Sequence, residues 1–330
     1  MKSYYVELTG IGKSEVKCED IAVTDLKDNE ALIKAEYSLI SAGTELSRAF
    51  GLKKGFSYPV RPGYSAVGRV MQAGKDLDLV KGQRVFVNCP HASLIRWSRG
   101  KNVQEPMIIA LPEDIDPIEA TALNLMFVAL QGVNLSEVRL GDKVAVFGLG
   151  NIGIITALLY KKLGADVTGF DVEEGRLILA EKLGIKSCIN NEEEAAKLPD
   201  FDICVDVSGL SPVIMNAIAK TRRYGQVLLL GSPRQSYETD ITLAFSQIHM
   251  KNLRMIGAFN QTVPLYPAAG SNNSLQHNFE KIITLLRNRD LDISKLITKI
   301  VDPKDCEKAY YDLMYSKSEN SGIVFDWRNY

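Results

Sequence analysis

Three glycines spaced as Gly-x-Gly-x-x-Gly give this sequence its clearest chemical signal. They directly follow the apolar run Val144 to Phe147 and open an amphipathic segment. In such a strand-turn-helix context the first glycine permits a tight turn, the second lets backbone N–H groups approach a pyrophosphate, and the third lets helix and strand pack closely. The helix N-terminus adds partial positive charge, so the pattern predicts a dinucleotide-binding turn. The turn comprises Gly148, Leu149, Gly150, Asn151, Ile152 and Gly153.

Polar residues at the ends of later strands extend this prediction to the rest of a dinucleotide. Asp171 ends the next apolar run, where a carboxylate can accept hydrogen bonds from both adenosine ribose hydroxyls and would repel a 2′-phosphate, so NAD is favoured over NADP. Arg176 leaves the cofactor open, because it could contact a 2′-phosphate, stack on adenine or face solvent. Ser208, Gly231 and Ser232 follow two further strands and are candidates for contacting the nicotinamide half.

The elements that must position these residues change character along the chain. Up to about Leu140, short β-type runs broken by Gly, Pro and Asn/Asp turns predict a compact all-β unit. From Asp142, strands and helices alternate, which predicts a doubly wound parallel sheet. After Thr262 come a Pro/Gly/Asn-rich loop, a helix and a final strand, GIVFDW, that returns to the first unit. We therefore expect domains at 1–122 and 123–262, with 263–330 rejoining the first.

Composition excludes several function classes. The 330 residues contain 39 Lys plus Arg against 40 Asp plus Glu, a net charge of -1, so no basic surface for nucleic acid or anionic membrane is expected. No apolar stretch reaches the ~20 residues of a membrane span, and no signal-peptide pattern is present, which predicts a cytoplasmic protein with a small-molecule substrate. Five cysteines without a Cys-x-x-Cys pair fit neither a disulfide framework nor a structural zinc lobe.

Further motifs join the glycine turn in a pattern that covers essentially the whole chain. They are Ser41 to Glu45, Pro62 to Val70, Lys81 to Val85 and Gly141 to Val144. In this combination of motifs the sequence resembles the medium-chain dehydrogenase/reductase superfamily, of the zinc alcohol dehydrogenase type. The resemblance implies a GroES-like β-barrel catalytic domain, a Rossmann domain for the dinucleotide, and a homodimer or homotetramer.

The sequence departs from that family where zinc members bind their catalytic metal. Two of the ligand positions are matched here by Ala42 and Tyr64, and the third falls at or next to Asn124, with Leu123 as the other option. Methyl, phenol and amide groups cannot hold a catalytic zinc, which needs thiolate, imidazole or carboxylate. We therefore expect no metal, and the Gly-Thr-Glu and Pro-Gly-Tyr variants look most like a zinc-lacking branch that includes bacteriochlorophyllide hydroxyethyl dehydrogenases.

Without zinc, another group must stabilise the substrate oxygen during hydride transfer. Thr44 matches the hydroxyl that starts the proton relay in zinc members, and Glu45 matches an acid that orients a ligand there. We hypothesise that Glu45 hydrogen-bonds the Tyr64 phenol or another neighbour, and that Tyr64 donates a hydrogen bond to the substrate oxygen. With a pKa of about 10, which a nearby carboxylate would raise, the phenol suits a donor better than a base. Asn124 is a second candidate donor, and the alternative is that Tyr64 only fills space.

Two further features leave alternatives open. Basic residues at positions 48, 53, 54, 61, 96 and 99 favour an acidic or phosphorylated substrate unless they are solvated surface charges. His91 either contacts substrate or is a structural histidine.

Together these observations predict a zinc-independent, NAD(H)-dependent oxidoreductase that interconverts a secondary alcohol and a ketone, with a polyol or sugar derivative as one option. One alternative is a quinone or enoyl reductase of the same fold that uses NADPH. The other is a dinucleotide-binding sensor without catalysis.

Overall fold

A computed structural model describes residues 1–52, 55–99, 107–189, 198–233, 236–259, 263–264 and 273–330. The chain folds into two compact units. Unit 1 combines Met1–Asn124 with Ile282–Tyr330, and unit 2 is Leu125–Lys281. The boundary predicted at 122/123 lies two residues before the first division of the structure. The boundary predicted at 262/263 lies before the second division, which follows Lys281.

The described residues contain strands in both units. The strands are β1 (Lys2–Gly10), β2 (Lys13–Asp20), β3 (Glu30–Leu39), β4 (Ala66–Ala73), β5 (Arg84–Val87), β6 (Leu94–Ser98), β7 (Ile108–Ala110), β8 (Lys143–Phe147), β9 (Asp166–Asp171), β10 (Lys186–Ile189), β11 (Phe201–Asp206), β12 (Thr221–Leu229), β13 (Arg254–Gly257), β14 (Lys299–Val301) and β15 (Ile323–Asp326).

The helices alternate with strands mainly in unit 2. They are α1 (Thr44–Ala49), α2 (Pro117–Ala120), α3 (Leu123–Leu135), α4 (Asn151–Lys162), α5 (Glu174–Lys182), α6 (Ser211–Lys220), α7 (Ile241–Lys251), α8 (Leu275–Arg287) and α9 (Cys306–Tyr315). In the described part of the chain, no helix has both the length and the apolar composition needed to cross a membrane.

Unit 1 is built on a seven-stranded sheet in the order β14-β15-β3-β4-β5-β7, with β6 also paired to β3, and on the two-stranded sheet β1-β2. The C-terminal return predicted from GIVFDW is confirmed, because β15 pairs antiparallel with β3 at Val324 and Leu39. Phe325 and Trp327 are fully buried in the unit's core. Strand β15 thus returns to unit 1 and joins its larger sheet beside β3.

The predicted all-β character of the first 140 residues is wrong where α1, α2 and α3 occur. The start of α2 has a clear signal, because Asp116 Oδ1 accepts the Ile118 backbone N–H at 2.7 Å and Pro117 occupies the first turn. In α3 almost every side chain is buried, so its apolar run lacks the period that separates helix from strand.

Unit 2 is a six-stranded parallel sheet in the order β10-β9-β8-β11-β12-β13. Counted within the unit this is the 3-2-1-4-5-6 order of a doubly wound nucleotide-binding domain, and it confirms the α/β fold prediction. The order reverses between β8 and β11, so the end of β8 lies at the topological switch point. Phe147 and Phe170 stack at 4.7 Å between ring centroids and anchor the ends of the two strands that precede the glycine turn and Asp171.

One segment differs from the sequence prediction, and another lies mostly outside the described residues. Helix α7 was not predicted; it is capped by Asp240 Oδ1, which accepts the Thr242 N–H at 2.9 Å, and it ends at Asn252 in the left-handed region with φ of 56°. The Pro/Gly/Asn-rich loop predicted from Leu265 lies outside the described residues, except for Asn273 and Ser274.

Candidate active site

The glycine turn joins β8 to α4 as a tight connection. Gly148 has φ of +100°, a conformation that side chains other than glycine rarely adopt, and its N–H donates to the Phe170 carbonyl at 2.7 Å. A Cβ on Gly153 would lie 1.8 Å from the Gly148 carbonyl oxygen. A Cβ on Gly150 would meet no protein atom within 4 Å. The backbone conformation therefore requires the first glycine, and close packing requires the third. The second glycine leaves open space at the start of α4.

The carboxylate of Asp171, 5% exposed, closes the turn from the next strand. Its Oδ2 accepts the Leu149 N–H at 2.7 Å, and its Oδ1 accepts the Val172 and Glu173 N–H groups at 2.8 and 3.0 Å. Arg176 donates to Oδ2 at 3.2 Å. The structure thus places the Arg176 guanidinium beside the Asp171 carboxylate. A ribose hydroxyl would have to compete with this guanidinium for Asp171 Oδ2.

A second buried acid, which the sequence analysis missed, organises the end of β11. Asp206 is fully buried and its Oδ1 accepts the Ser208 N–H at 3.0 Å and the Ser208 hydroxyl at 2.6 Å, while Oδ2 accepts the Gly209 N–H at 3.0 Å. The Gly231 N–H donates to the Asp206 carbonyl at 2.9 Å, whereas Ser232 is exposed. The position of Asp206 at the carboxyl end of a parallel strand is the sequence signal that would have singled it out.

In unit 1, three hydroxyl groups meet beside α1. The Tyr64 hydroxyl donates to Ser41 Oγ and also hydrogen-bonds the Thr44 side chain. Ser41 is buried and Thr44 is exposed, so the cluster leads from the interior to the surface of the unit. Burial raises the pKa of Tyr64 above its ordinary value; the bonds to Ser41 and Thr44 lower it, and the charge of Glu45 raises it. We call Ser41, Thr44 and Tyr64 the hydroxyl cluster.

Glu45 does not bond the Tyr64 phenol directly, as the first form of our hypothesis had it, but reaches it through Ser41. The carboxylate is 1% exposed; Oε1 accepts the Ser41 N–H at 2.7 Å, and Oε2 accepts the Tyr310 hydroxyl at 2.6 Å. Oε2 also pairs with His91 Nε2 at 2.9 Å. The other option in that hypothesis, a hydrogen bond between Glu45 and another neighbour, is therefore the one that the structure shows, with Ser41, Tyr310 and His91 as the partners.

His91 is a structural histidine here and not a substrate contact. Its side chain is 0% exposed, and Nδ1 lies 2.7 Å from Ser38 Oγ, which also accepts the Trp327 Nε1–H at 2.8 Å. With Nε2–H donating to Glu45 and Nδ1 accepting from the Ser38 hydroxyl, the His91, Ser38 and Trp327 donors of this hydrogen-bond network all have acceptors. The imidazole thus connects Glu45 to the core and holds it in place.

Comparisons with known proteins agree with this architecture. Residues 151–273 match the family model described as zinc-binding dehydrogenase. The chain is 25% identical to L-threonine 3-dehydrogenase of Chelativorans sp. (strain BNC1), over 94% of each chain. It is also 24% identical to sorbitol dehydrogenase of Bombyx mori, over 83% of this chain and 89% of that protein. The chain is thus similar, over most of its length, to dehydrogenases of the medium-chain dehydrogenase/reductase superfamily.

Solved structures confirm the fold of this dehydrogenase/reductase chain. A zinc-binding dehydrogenase structure from Sinorhizobium meliloti 1021, described as bound to NADP, superposes with a TM-score of 0.79 at 17% identity and covers 99% of both chains. An alcohol dehydrogenase from E. coli CFT073, complexed with NADH, gives 0.80 at 18% identity, covering 98% of this chain and 99% of that one. Proteins of this fold therefore include both NADP and NADH complexes.

The residues of this chain that match the zinc-ligand positions do not fit a catalytic zinc. Ala42 has no donor atom, Tyr64 is engaged with other hydroxyls, and Asn124 at the start of α3 offers a neutral amide that is 7% exposed. The nearby Glu45 carboxylate is already occupied by three partners. Among the side chains that the structure describes, no group of three His, Cys, Asp or Glu residues could hold a metal ion.

Most of the basic residues that favoured an acidic substrate have partners within unit 1. Both terminal nitrogens of Arg61 donate to Glu19 at 2.6 Å. Arg96 NH2 donates to Glu30 at 2.6 Å, and Arg99 donates to the Asp76 carbonyl at 3.0 Å. Positions 53 and 54 lie outside the described residues. These contacts leave Arg48 as the described member of this basic group whose buried guanidinium Nε has no hydrogen-bond partner.

Proposed function

We propose that this chain is a zinc-independent, NAD(H)-dependent oxidoreductase of the medium-chain dehydrogenase/reductase superfamily that interconverts a secondary alcohol and a ketone, with a polyol or sugar derivative as one substrate option. The observation that carries the proposal is the hydroxyl cluster, which includes Tyr64 at a ligand position of zinc members and contains no metal-binding donor set. The names of the relatives support the reaction class, because carbon 3 of threonine and the inner carbons of sorbitol are secondary alcohols.

The hydroxyl cluster has the parts needed to handle the alcohol proton. Bound NAD would accept a hydride, which is the hydrogen of the substrate carbon together with both electrons of its C–H bond. The hydroxyl proton must leave as well, and the contact of the Tyr64 phenol with the exposed Thr44 hydroxyl offers it a route to solvent, because each hydroxyl both donates and accepts. In ketone reduction the Tyr64 O–H would donate toward the developing oxyanion and recover a proton along the same route.

Glu45 contributes by positioning. Its Oε1 holds the Ser41 backbone N–H, and Tyr310 and His91 hold its other oxygen. We therefore assign Glu45 to orienting Ser41, whose hydroxyl sets the orientation of the Tyr64 phenol. Asn124 remains the second candidate donor to the substrate oxygen, and its amide makes no hydrogen bond to any described residue.

The residues of unit 2 support a dinucleotide whose adenosine ribose carries no 2′-phosphate. The cofactor-binding set of the proposal keeps the turn residues together with Asp171, Arg176, Ser208, Gly231 and Ser232. The space at Gly150 suits close approach of a pyrophosphate, and the buried Asp171 carboxylate disfavours a 2′-phosphate. Arg176 beside Asp171 is the specific observation that favours the alternative, an NADPH-dependent quinone or enoyl reductase.

The deciding experiment is an absorbance assay for NADH or NADPH formation by EDTA-treated protein given a panel of secondary alcohols and polyols. We expect turnover with NAD that survives chelation, and a kcat lowered about 100-fold by Tyr64→Phe. The matched control is Tyr311→Phe, because Tyr311 is 57% exposed.

Each other outcome changes a specific part of the proposal. Activity that EDTA removes and zinc restores would overturn zinc independence, and unchanged turnover in Tyr64→Phe would remove the role of the phenol. Reduction of activated C=C bonds with NADPH would favour the alternative reductase. Cofactor binding without any turnover would favour a sensor.

We also propose a homodimer or homotetramer. Exposed apolar side chains on α7 and the neighbouring edge strand β13 support it, because such side chains are more often covered than solvated. They are Phe245, Met250 and Met255. Light scattering would test it, and a monomer at micromolar concentration would contradict it.

A further inference from the structure

Arg48 is a cation next to the hydroxyl cluster, and it has no anionic partner among the described residues. It lies on α1 four residues after Thr44, so the two side chains share one face of the helix. Its Nε atom is buried and has no hydrogen-bond partner. The charge of Arg48 also acts on the Tyr64 phenol. One guanidinium and the hydroxyls of the cluster thus occupy the same small region of unit 1.

The guanidinium of Arg48 is held in place by contacts that leave its charge uncompensated. Its central carbon lies 4.9 Å from the centroid of the Phe56 ring. The Tyr58 hydroxyl donates to the Arg48 carbonyl at 2.5 Å and fixes the backbone at the end of α1. A cation stacked on an aromatic face keeps its N–H groups at the ring edge free to bind a ligand. By contrast, Arg61 and Arg96 are each engaged by a carboxylate.

We propose that Arg48 binds an anionic group, a carboxylate or a phosphate, of the same substrate whose alcohol oxygen meets Tyr64 and Thr44. This inference rests on the proposed function. A guanidinium matches both anions with two parallel hydrogen bonds. Side chains one helical turn apart are separated by roughly 5–6 Å at their Cβ atoms, so a short carbon chain should join the anionic group to the secondary alcohol carbon. Hydroxy acids and polyol phosphates have this form.

The test compares alcohols that differ only in the anionic group. The carboxylate pair is 3-hydroxybutyrate and its methyl ester, and the phosphate pair is sorbitol 6-phosphate and sorbitol. We expect kcat/KM for the anionic member of at least one pair to exceed that of the neutral member by about 10- to 100-fold, as for a charge-assisted hydrogen bond. The pair that shows the preference identifies the anion.

Substitutions assign the preference to Arg48. Arg48→Met should bring the anionic-to-neutral ratio close to one, and Arg48→Lys should restore part of it, since it keeps the charge but not the planar fork. Arg61→Met is the matched control and should keep the wild-type ratio, because Arg61 is already paired with Glu19. A preference that survives Arg48→Met, or neutral members that react as well as anionic ones, would overturn the inference.

A binding measurement separates this inference from the proposed function. If no alcohol in either pair is oxidised, the proposed function fails for these substrates, and calorimetry with 3-hydroxybutyrate and sorbitol 6-phosphate on the NADH-loaded protein still tests Arg48. Binding that Arg48→Met weakens at least 10-fold and Arg61→Met leaves unchanged would support the anion site. Absence of binding, or equal binding by both variants, would overturn it.

Discussion

The glycine turn of unit 2 and the hydroxyl cluster of unit 1 are organised in different ways. In the turn, the residues that contact each other are near in sequence, and Leu149 meets Asp171 only 22 positions on. In the network behind the cluster, Glu45 meets Tyr310 across 265 positions and Ser38 meets Trp327 across 289. The turn depends on backbone geometry and on glycines, which have no side chain, whereas the cluster depends on side chains that only the complete fold brings together.

The largest effect should come from Gly153→Ala, which tests whether the turn requires a residue without a side chain at this position. The new Cβ would lie 1.8 Å from the Gly148 carbonyl oxygen, so the turn must deform, and we expect a loss of about 3–5 kcal/mol in unfolding free energy and no measurable NADH binding. Gly150→Ala is the matched control for stability, because its Cβ meets no protein atom within 4 Å. Urea denaturation and NADH fluorescence titration would measure both variants.

The Gly150→Ala variant also separates folding from cofactor approach. It should unfold within about 1 kcal/mol of wild type yet bind NADH more weakly, since the methyl group enters the space left for a pyrophosphate. Equal losses of stability in the two variants would contradict the division of roles between these glycines.

Glu45→Ala tests the opposite dependence in unit 1, on side chains that are present. The change leaves the Tyr310 hydroxyl, the His91 Nε2–H and the Ser41 N–H without their acceptor in a buried site, so we expect a loss of about 3–4 kcal/mol. The control Glu19→Ala removes an exposed partner of Arg61 and should cost less than about 1 kcal/mol. Similar urea midpoints for the two variants would show that the buried network does not stabilise the unit.

The same contrast explains how much the sequence predicted. The glycine turn, Asp171 and the doubly wound sheet follow from spacing and alternation, which are local properties. The engagement of Glu45 by His91 and Tyr310 could not be predicted, because no local pattern relates residues in α1, α9 and the loop before β6. Helix α3 was missed for another reason: a helix buried all round has no polar face, so its apolar run resembles a strand.

Asp171→Asn should have a smaller effect that sharpens the cofactor assignment. Removal of the negative charge leaves Arg176 facing the ribose without its partner, so we expect the NAD-to-NADP ratio of kcat/KM to fall by about 10- to 100-fold. Arg176→Ala should change the ratio in the other direction, by less than about 10-fold. Steady-state rates with both cofactors measure the two variants, and a ratio that Asp171→Asn leaves unchanged would contradict the role of the carboxylate.

The smallest effect concerns pH and the Tyr64 phenol. Burial raises the pKa of Tyr64 above its ordinary value, so the phenol remains protonated, and able to donate, throughout the neutral and mildly alkaline range. If it acts as a donor, its contribution to ketone reduction is fully present below its pKa and is lost only as the pH rises through that value. The wild-type to Tyr64→Phe ratio of kcat should therefore change less than about 2-fold between pH 7 and 9.5. A ratio that rises through an inflection in that interval would show a phenolate acting as a base, and the contacts with Ser41 and Thr44 would then outweigh burial.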